Sequence, residues 1–172
     1  MARNLWLGLR SEAGVTLTEL LVVLTIVAVL AACAVPGFRR YGERQALMRT
    51  ADRLVAEIYR AKLCAMAEGR TWRVSFTPAG YSVGPLGGPT CLYALGQASF
   101  GAPTARDYAG NPLPADGVRF DDNRLSFSAM GSCNAGTVFL QAGGRACAIS
   151  LQPASGLAVL RVYDGVWHAA RD

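Results

Sequence analysis

The chain has 172 residues, 52% of them hydrophobic and 17% charged, too apolar for a disordered chain and below the ~25% charge of an average soluble protein. That length suits one domain with an appendage. Seventeen Lys and Arg against twelve Asp and Glu give a net charge of +5, which admits nucleic acid as a partner until the charges are placed along the chain.

Residues 1–14 place Arg3 and Arg10 just ahead of an apolar run. In residues 15–35, 17 of 21 side chains are apolar and Glu19 alone is charged. As a helix this run is ~30 Å long, the thickness of a hydrocarbon core. Positive residues before it favour the cytoplasmic side, so the rest of the chain is expected outside the cytoplasm. A secretory signal peptide has a shorter apolar region, ~7–15 residues, ending at a small-residue cut site. Glu19 is the informative residue, because a carboxylate inside hydrocarbon costs several kcal/mol unless paired and so marks a functional position. Its competing role is to sit at headgroup depth and offset the helix dipole.

The stretch Ala13-Gly14-Val15-Thr16-Leu17-Thr18-Glu19-Leu20-Leu21-Val22-Val23-Leu24, followed by Pro36, resembles the class III signal of type IV pilins and type II secretion pseudopilins. The resemblance implies that a prepilin peptidase cuts after Gly14 and methylates the new amino terminus at Val15, where the family most often has phenylalanine. It further implies that Glu19 pairs with the N-terminal amine of a neighbouring subunit in a fibre. The chain then divides into a leader over residues 1–14, a transmembrane helix over 15–38, a stem helix over 39–69 and a periplasmic head over 70–172.

Past Pro36 and Gly37 the pattern turns amphipathic. Leu47, Ala51, Leu54, Val55, Ile58, Ala61 and Ala65 recur at spacings of three and four, opposite Arg49, Arg53, Glu57, Arg60 and Glu68, which predicts a helix with one face on a partner layer. Gly69 is a candidate C-terminal cap. Pro36, Gly37 and Gly42 predict a bend or local melting. One helix is therefore expected from about residue 16 to residue 68.

From residue 71 the period becomes two. Residues 71–77 (TWRVSFT) and 81–84 flank Pro78-Ala79-Gly80, 118–120 and 125–127 flank Asp121-Asp122-Asn123-Arg124, and 137–141 and 145–151 flank Ala142-Gly143-Gly144. Residues 157–163 and 166–169 flank Asp164-Gly165, a pair suited to a tight type I′ turn. Four hairpins make one antiparallel sheet packed on the helix stripe the simplest architecture, an α+β fold. Residues 84–116, with six Gly and five Pro, form a long connection of the kind that is functional or mobile; the plainer expectation is an ordered surface loop with a short strand at residues 91–95.

The run IYRAKLCAMAEGRTWR from Ile58 to Arg73, then Leu125-Ser126-Phe127-Ser128, and a final run with Ser155-Gly156 resemble the GspH/FimT group of minor pilins and pseudopilins. The resemblance implies a long helix and a β-rich head near the tip of a short fibre.

Of five cysteines, Cys33 falls in the apolar run and is read as a packing residue. In an oxidising compartment the other four allow three pairings. Cys133 with Cys147 is favoured because the two bracket one hairpin, leaving Cys64 with Cys91 to tie the stem to the long loop; buried free thiols are the alternative. No CxxC occurs and His168 is the one histidine, so no metal and no cofactor is expected. Asp121-Asp122-Asn123 is read as a turn, since it lacks the spaced acids of a Ca²⁺ loop. Neither GxSxG nor GxxxxGK[ST] is present, and the chain is not read as an enzyme.

Charge placement separates the remaining functions. Residues 39–73 hold nine basic and four acidic side chains, whereas residues 74–172 hold six of each. A neutral head is a poor footprint for phosphates, and Arg39, Arg40 and Arg44 on the lower stem suit anionic headgroups or acidic neighbours. The favoured reading is a minor pseudopilin of a type II secretion machine, single-pass in the inner membrane, with other pseudopilins, the prepilin peptidase and membrane lipids as partners. The alternative is a FimT-like minor type IV pilin that binds DNA in natural transformation.

Overall fold

In the computed structural model, residues 16–104 and 106–170 are described, with the side chains of all but residues 33–40. The chain divides into two compact units, Met1–Arg39 and Arg40–Asp172. One helix, α1 (Leu17–Glu68), enters both.

Thr16 starts α1 as its N-cap. Its Oγ1 accepts the Glu19 N–H at 3.2 Å and its carbonyl accepts the Leu20 N–H at 3.1 Å, satisfying donors that the first turn leaves without partners. The backbone stays helical through Pro36, Gly37 and Gly42, so the local melting expected there is not found. Gly69 closes the helix in the left-handed region at φ 63°, and the Arg70 N–H returns to the Ala65 carbonyl at 3.3 Å, a Schellman-type stop. Glu68 sits at the negative end of the helix dipole, and donation from Arg70 Nε at 2.7 Å and Trp72 Nε1 at 3.0 Å offsets the repulsion. Those two bonds hold its carboxyl below the usual carboxylate range.

The head is built on two antiparallel sheets instead of the one expected. The strands are β1 (Trp72–Thr77), β2 (Gly80–Pro85), β3 (Cys91–Ala94), β4 (Ser99–Phe100), β5 (Val118–Arg119), β6 (Arg124–Phe127), β7 (Gly136–Ala142), β8 (Arg145–Gln152), β9 (Leu157–Tyr163) and β10 (Trp167–Ala169). A four-stranded sheet has the order β3-β2-β1-β6. A six-stranded one has the order β10-β9-β8-β7-β4, with β5 also on β7.

The hairpins β1–β2, β7–β8 and β9–β10 form as the alternating patterns predict. The fourth expected hairpin does not. Asp122 and Asn123 take positive φ of 54° and 53° in a short 3₁₀ turn, and the chain passes between sheets there: β5 pairs with β7 while β6 pairs with β1.

The helix stripe read from the sequence covers both sheets. Leu47, Ala51, Leu54, Ile58, Ala61 and Ala65 are buried, and Val55 is partly so. They share a core with Val74, Phe76, Tyr81, Val83, Leu125 and Phe127 of the first sheet and Val138, Leu140, Cys147 and Ile149 of the second. Three of the stripe positions are alanine, which lets helix and strands approach closely.

Candidate functional site

Gly14 and Val15, the expected cleavage and methylation positions, lie outside the described residues. Glu19 occupies the third position of α1, with its backbone N–H held by Thr16, and its carboxylate makes no ion pair among the described residues. Around it Leu17, Leu20, Leu21, Val22, Val23, Leu24, Ile26, Val27, Val29 and Leu30 are each more than half exposed. A helix apolar on every face and exposed on every face is not finished as a soluble element. Among the described residues no helix is long and apolar enough to cross a membrane; residues 17–32 rise ~24 Å against a core of ~30 Å. Pro36 lies within α1.

The stem's basic residues are only partly free. Arg53 lies 5.0 Å over the Tyr93 ring, a cation–π contact. Arg60 donates at 3.2 Å both to Glu57 and to the Tyr93 hydroxyl, and Lys62 Nζ donates to the Ser155 carbonyl at 2.7 Å. Arg44 and Arg49 are exposed and make no ion pair among the described residues.

Four of the five described arginines beyond Val74 are engaged within the head. Arg106 holds the Gly110 carbonyl at 2.7 Å, Arg119 pairs with buried Asp107 and holds the Pro112 carbonyl at 2.6 Å, Arg161 stacks 4.2 Å over Tyr108, and Arg124 lies 3.7 Å from Asp122. Burial pushes the Asp107 carboxyl up, but the Arg119 guanidinium and the N–H groups of Asn111 and Ala109 outweigh it and leave the group below its usual value of 3.8.

These contacts explain the long connection. Residues 84–116 carry β3 and β4, and the turn at Asp107 is drawn onto the outer face of the six-stranded sheet. Asp107 Oδ1 accepts the Ala109 and Asn111 N–H groups at 2.8 and 2.9 Å, an Asx turn. Tyr108 Oη then lies 2.8 Å from Ser150 Oγ. Trp167 of β10 packs edge-on against Tyr108 and Phe139, with ring centroids 6.2 and 6.0 Å away, and donates Nε1 to the Arg106 carbonyl at 3.3 Å. The connection is therefore an ordered strap over a second small core. Sequence reasoning missed Asp107 and Arg119; the legible signal was Asp107-Tyr-Ala-Gly-Asn111, an Asx-turn sequence.

Cys64, Cys91, Cys133 and Cys147 are free thiols. The favoured pair, Cys133 with Cys147, is not brought together. The Cys133 N–H donates to the Pro153 carbonyl at 2.9 Å, beyond the end of β8, whereas Cys147 sits inside β8 between Leu140 and Val162. Six residues of extended chain separate those places, ~20 Å at ~3.3 Å per residue, against ~4.4–6.8 Å between the Cα atoms of a disulfide. Bracketing a hairpin in sequence placed the two at opposite ends of a strand. Cys147 is instead a core residue; burial and then the Asp52 carboxylate push its thiol up to about 12.

His168 is half exposed, with Nδ1 3.6 Å from Asp164 Oδ1. Among the described residues no group of three or more His, Cys, Asp or Glu could hold a metal ion.

Residues 9–34 match the family model described as the prokaryotic N-terminal methylation motif. No curated protein and no solved structure matches the chain. The motif implies processing by a prepilin peptidase and assembly into a pilus-like fibre, and chains that carry it are in general structural. A methylation motif at the start of a long helix, ahead of an antiparallel β head, supports a type IV pilin-like protein.

Proposed function

We propose that the chain is a minor pseudopilin of the GspH kind, a structural subunit at or near the tip of a type II secretion pseudopilus. The observation that carries the reading is the N-terminal half of α1: apolar and exposed on all sides, with one carboxylate in its first turn. Such a helix needs lipid before assembly and other helices after it. In the lipid stage residues 15–38 span the inner membrane, with the leader cytoplasmic and the head periplasmic; the apolar sequence runs through Val35, long enough for the span. In the fibre, Glu19 meets the methylated amine of a neighbour's first residue, which supplies the partner that a carboxylate in apolar surroundings requires.

The DNA-binding alternative, a FimT-like pilin of natural transformation, needs free cations on the head. Of the five described arginines beyond Val74, four (Arg106, Arg119, Arg124 and Arg161) are engaged with carboxylates, carbonyls or a ring. Arg145 is left as the one without such a contact among these five, a narrow basis for phosphate contacts.

Deleting the gene tests the choice. Loss of exported protein from the medium with unchanged natural transformation is expected; lost transformation with intact secretion overturns the reading. Glu19→Ala should leave cleavage after Gly14 intact and deplete the subunit from sheared fibres, and normal incorporation of that variant would refute the charge pairing.

A further inference from the structure

Two thiols that sequence spacing paired only by elimination come to one side of the head. On α1, Arg53, Glu57, Arg60 and Cys64 follow one another at intervals of four, three and four, which places them on one flank. That flank faces β3. Arg53 covers the Tyr93 ring at 5.0 Å and Arg60 donates to the Tyr93 hydroxyl at 3.2 Å.

Cys91 lies two residues before Tyr93 on the same strand, so both project from the same face. The ladder agrees, because directly paired residues of antiparallel strands share a face. Tyr93 pairs with Tyr81, their rings stacked 5.2 Å apart, and Cys91 pairs with Val83. Tyr81 and Val83 are both buried in the core beneath the helix.

Direction settles the level. The chain reverses at Gly69, so β1 runs back along the helix, β2 runs with it, and β3 runs back again. The step from Tyr93 to Cys91 thus follows the helix from Arg60 towards Cys64. Two strand residues advance ~6.6 Å and four helical residues ~6.0 Å. Cys64 and Cys91 therefore lie at about the same level on facing surfaces of the helix and the sheet. Cys64 is half-buried and Cys91 exposed, and both thiols are free.

We propose that Cys64 and Cys91 form a disulfide that staples edge strand β3 to the stem helix when the head meets a protein dithiol–disulfide oxidoreductase. The exposed Cys91 thiolate attacks that protein's disulfide, giving a mixed disulfide and releasing its second sulfur as a thiolate. The Cys64 thiolate then attacks Cys91 Sγ and expels the oxidoreductase. Two thiols are oxidised, one disulfide is reduced to a dithiol, and the two protons pass to the departing sulfurs. β3 pairs with β2 alone, so the bond fixes an open sheet edge that would otherwise invite pairing with another chain. Only the oxidant depends on the export reading; the juxtaposition of the thiols does not.

Trypsin places each of these four cysteines on its own peptide: residues 63–70, 74–106, 125–145 and 146–161. The full-length chain in detergent is equilibrated with oxidised and reduced glutathione, alkylated and digested without reduction. Peptide 63–70 joined to 74–106, with 125–145 and 146–161 alkylated, is the expected result. Only glutathione adducts, chain-to-chain Cys91 dimers, or full alkylation at Cys64 and Cys91 overturns the pairing. Reducing the bond should lower the Tm by roughly 5–10 °C, a shift that Cys91→Ser abolishes and Cys133→Ser keeps. The same digest after alkylation in intact cells separates the two readings: a bond formed with glutathione but absent in cells supports the pairing and overturns export of the head.

Discussion

Leu54 and Leu63 stand nine residues apart on one helix and differ only in which way they face. Leu54 has no exposed surface and lies in the core shared by both sheets, whereas Leu63 is 65% exposed. Leu54→Ala removes a fully buried isobutyl group and leaves a cavity that strands on two sides cannot both close, so ~2–5 kcal/mol is expected. At about 3 °C per kcal/mol for a domain of this size, the Tm falls by about 6–15 °C. Leu63→Ala removes a mostly exposed side chain and should cost less than ~0.5 kcal/mol. A Trp6→Phe background leaves Trp72 and Trp167 as reporters, one in each sheet, so fluorescence during urea and thermal unfolding follows both halves of the head. A loss under ~1 kcal/mol at Leu54, or equal losses at the two positions, would refute the claim that the stripe is the seam joining helix and sheets.

Two further predictions concern buried polar groups. The Tyr81 hydroxyl is buried with no hydrogen-bond partner among the described residues, and burial pushes it up to about 12; Tyr81→Phe should leave stability unchanged or raise it by up to ~1 kcal/mol, and a loss larger than that in urea titration would reveal a partner for the hydroxyl. Asp107 is held below its usual 3.8, so its contribution is present above that value and is lost as pH falls beneath it. Asp107→Asn should be less stable than the wild type at pH 7, with the gap in urea midpoint narrowing as the pH is taken below 3.8; a gap independent of pH would contradict the Arg119 pairing.

Local features of the sequence carried over into structure more completely than distant ones. The stripe from Leu47 to Ala65 and the Gly69 stop depend on neighbours within a helical turn, and three hairpins depend on short turns between alternating runs. The division into two sheets does not. Nothing near Asp121 reveals that β5 belongs to β7, some 20 residues on, while β6 belongs to β1, some 50 residues back. Phe139 sits in an apolar run and reads as core, yet it faces away from the helix towards Trp167. Its cover comes from Trp167 of β10 and the Arg119 guanidinium 5.9 Å over its ring, contacts between segments that share no local pattern. The same limit undid Cys133 with Cys147, where spacing along the chain was taken for spacing in the sheet. At the N-terminus the reverse holds: the methylation motif over residues 9–34 is legible in the order of its residues, without reference to any fold.

A chain that matures and assembles as a pilin-like subunit is cut and methylated at its N-terminus before it enters a fibre. The intact mass and N-terminal sequence of the protein recovered from membranes of cells that express a prepilin peptidase test this directly. A chain that begins at Val15 and carries one methyl group on its amine is expected. A chain still beginning at Met1, or one cut among Ala31, Ala32 and Ala34 as a secretory signal would be, would contradict it.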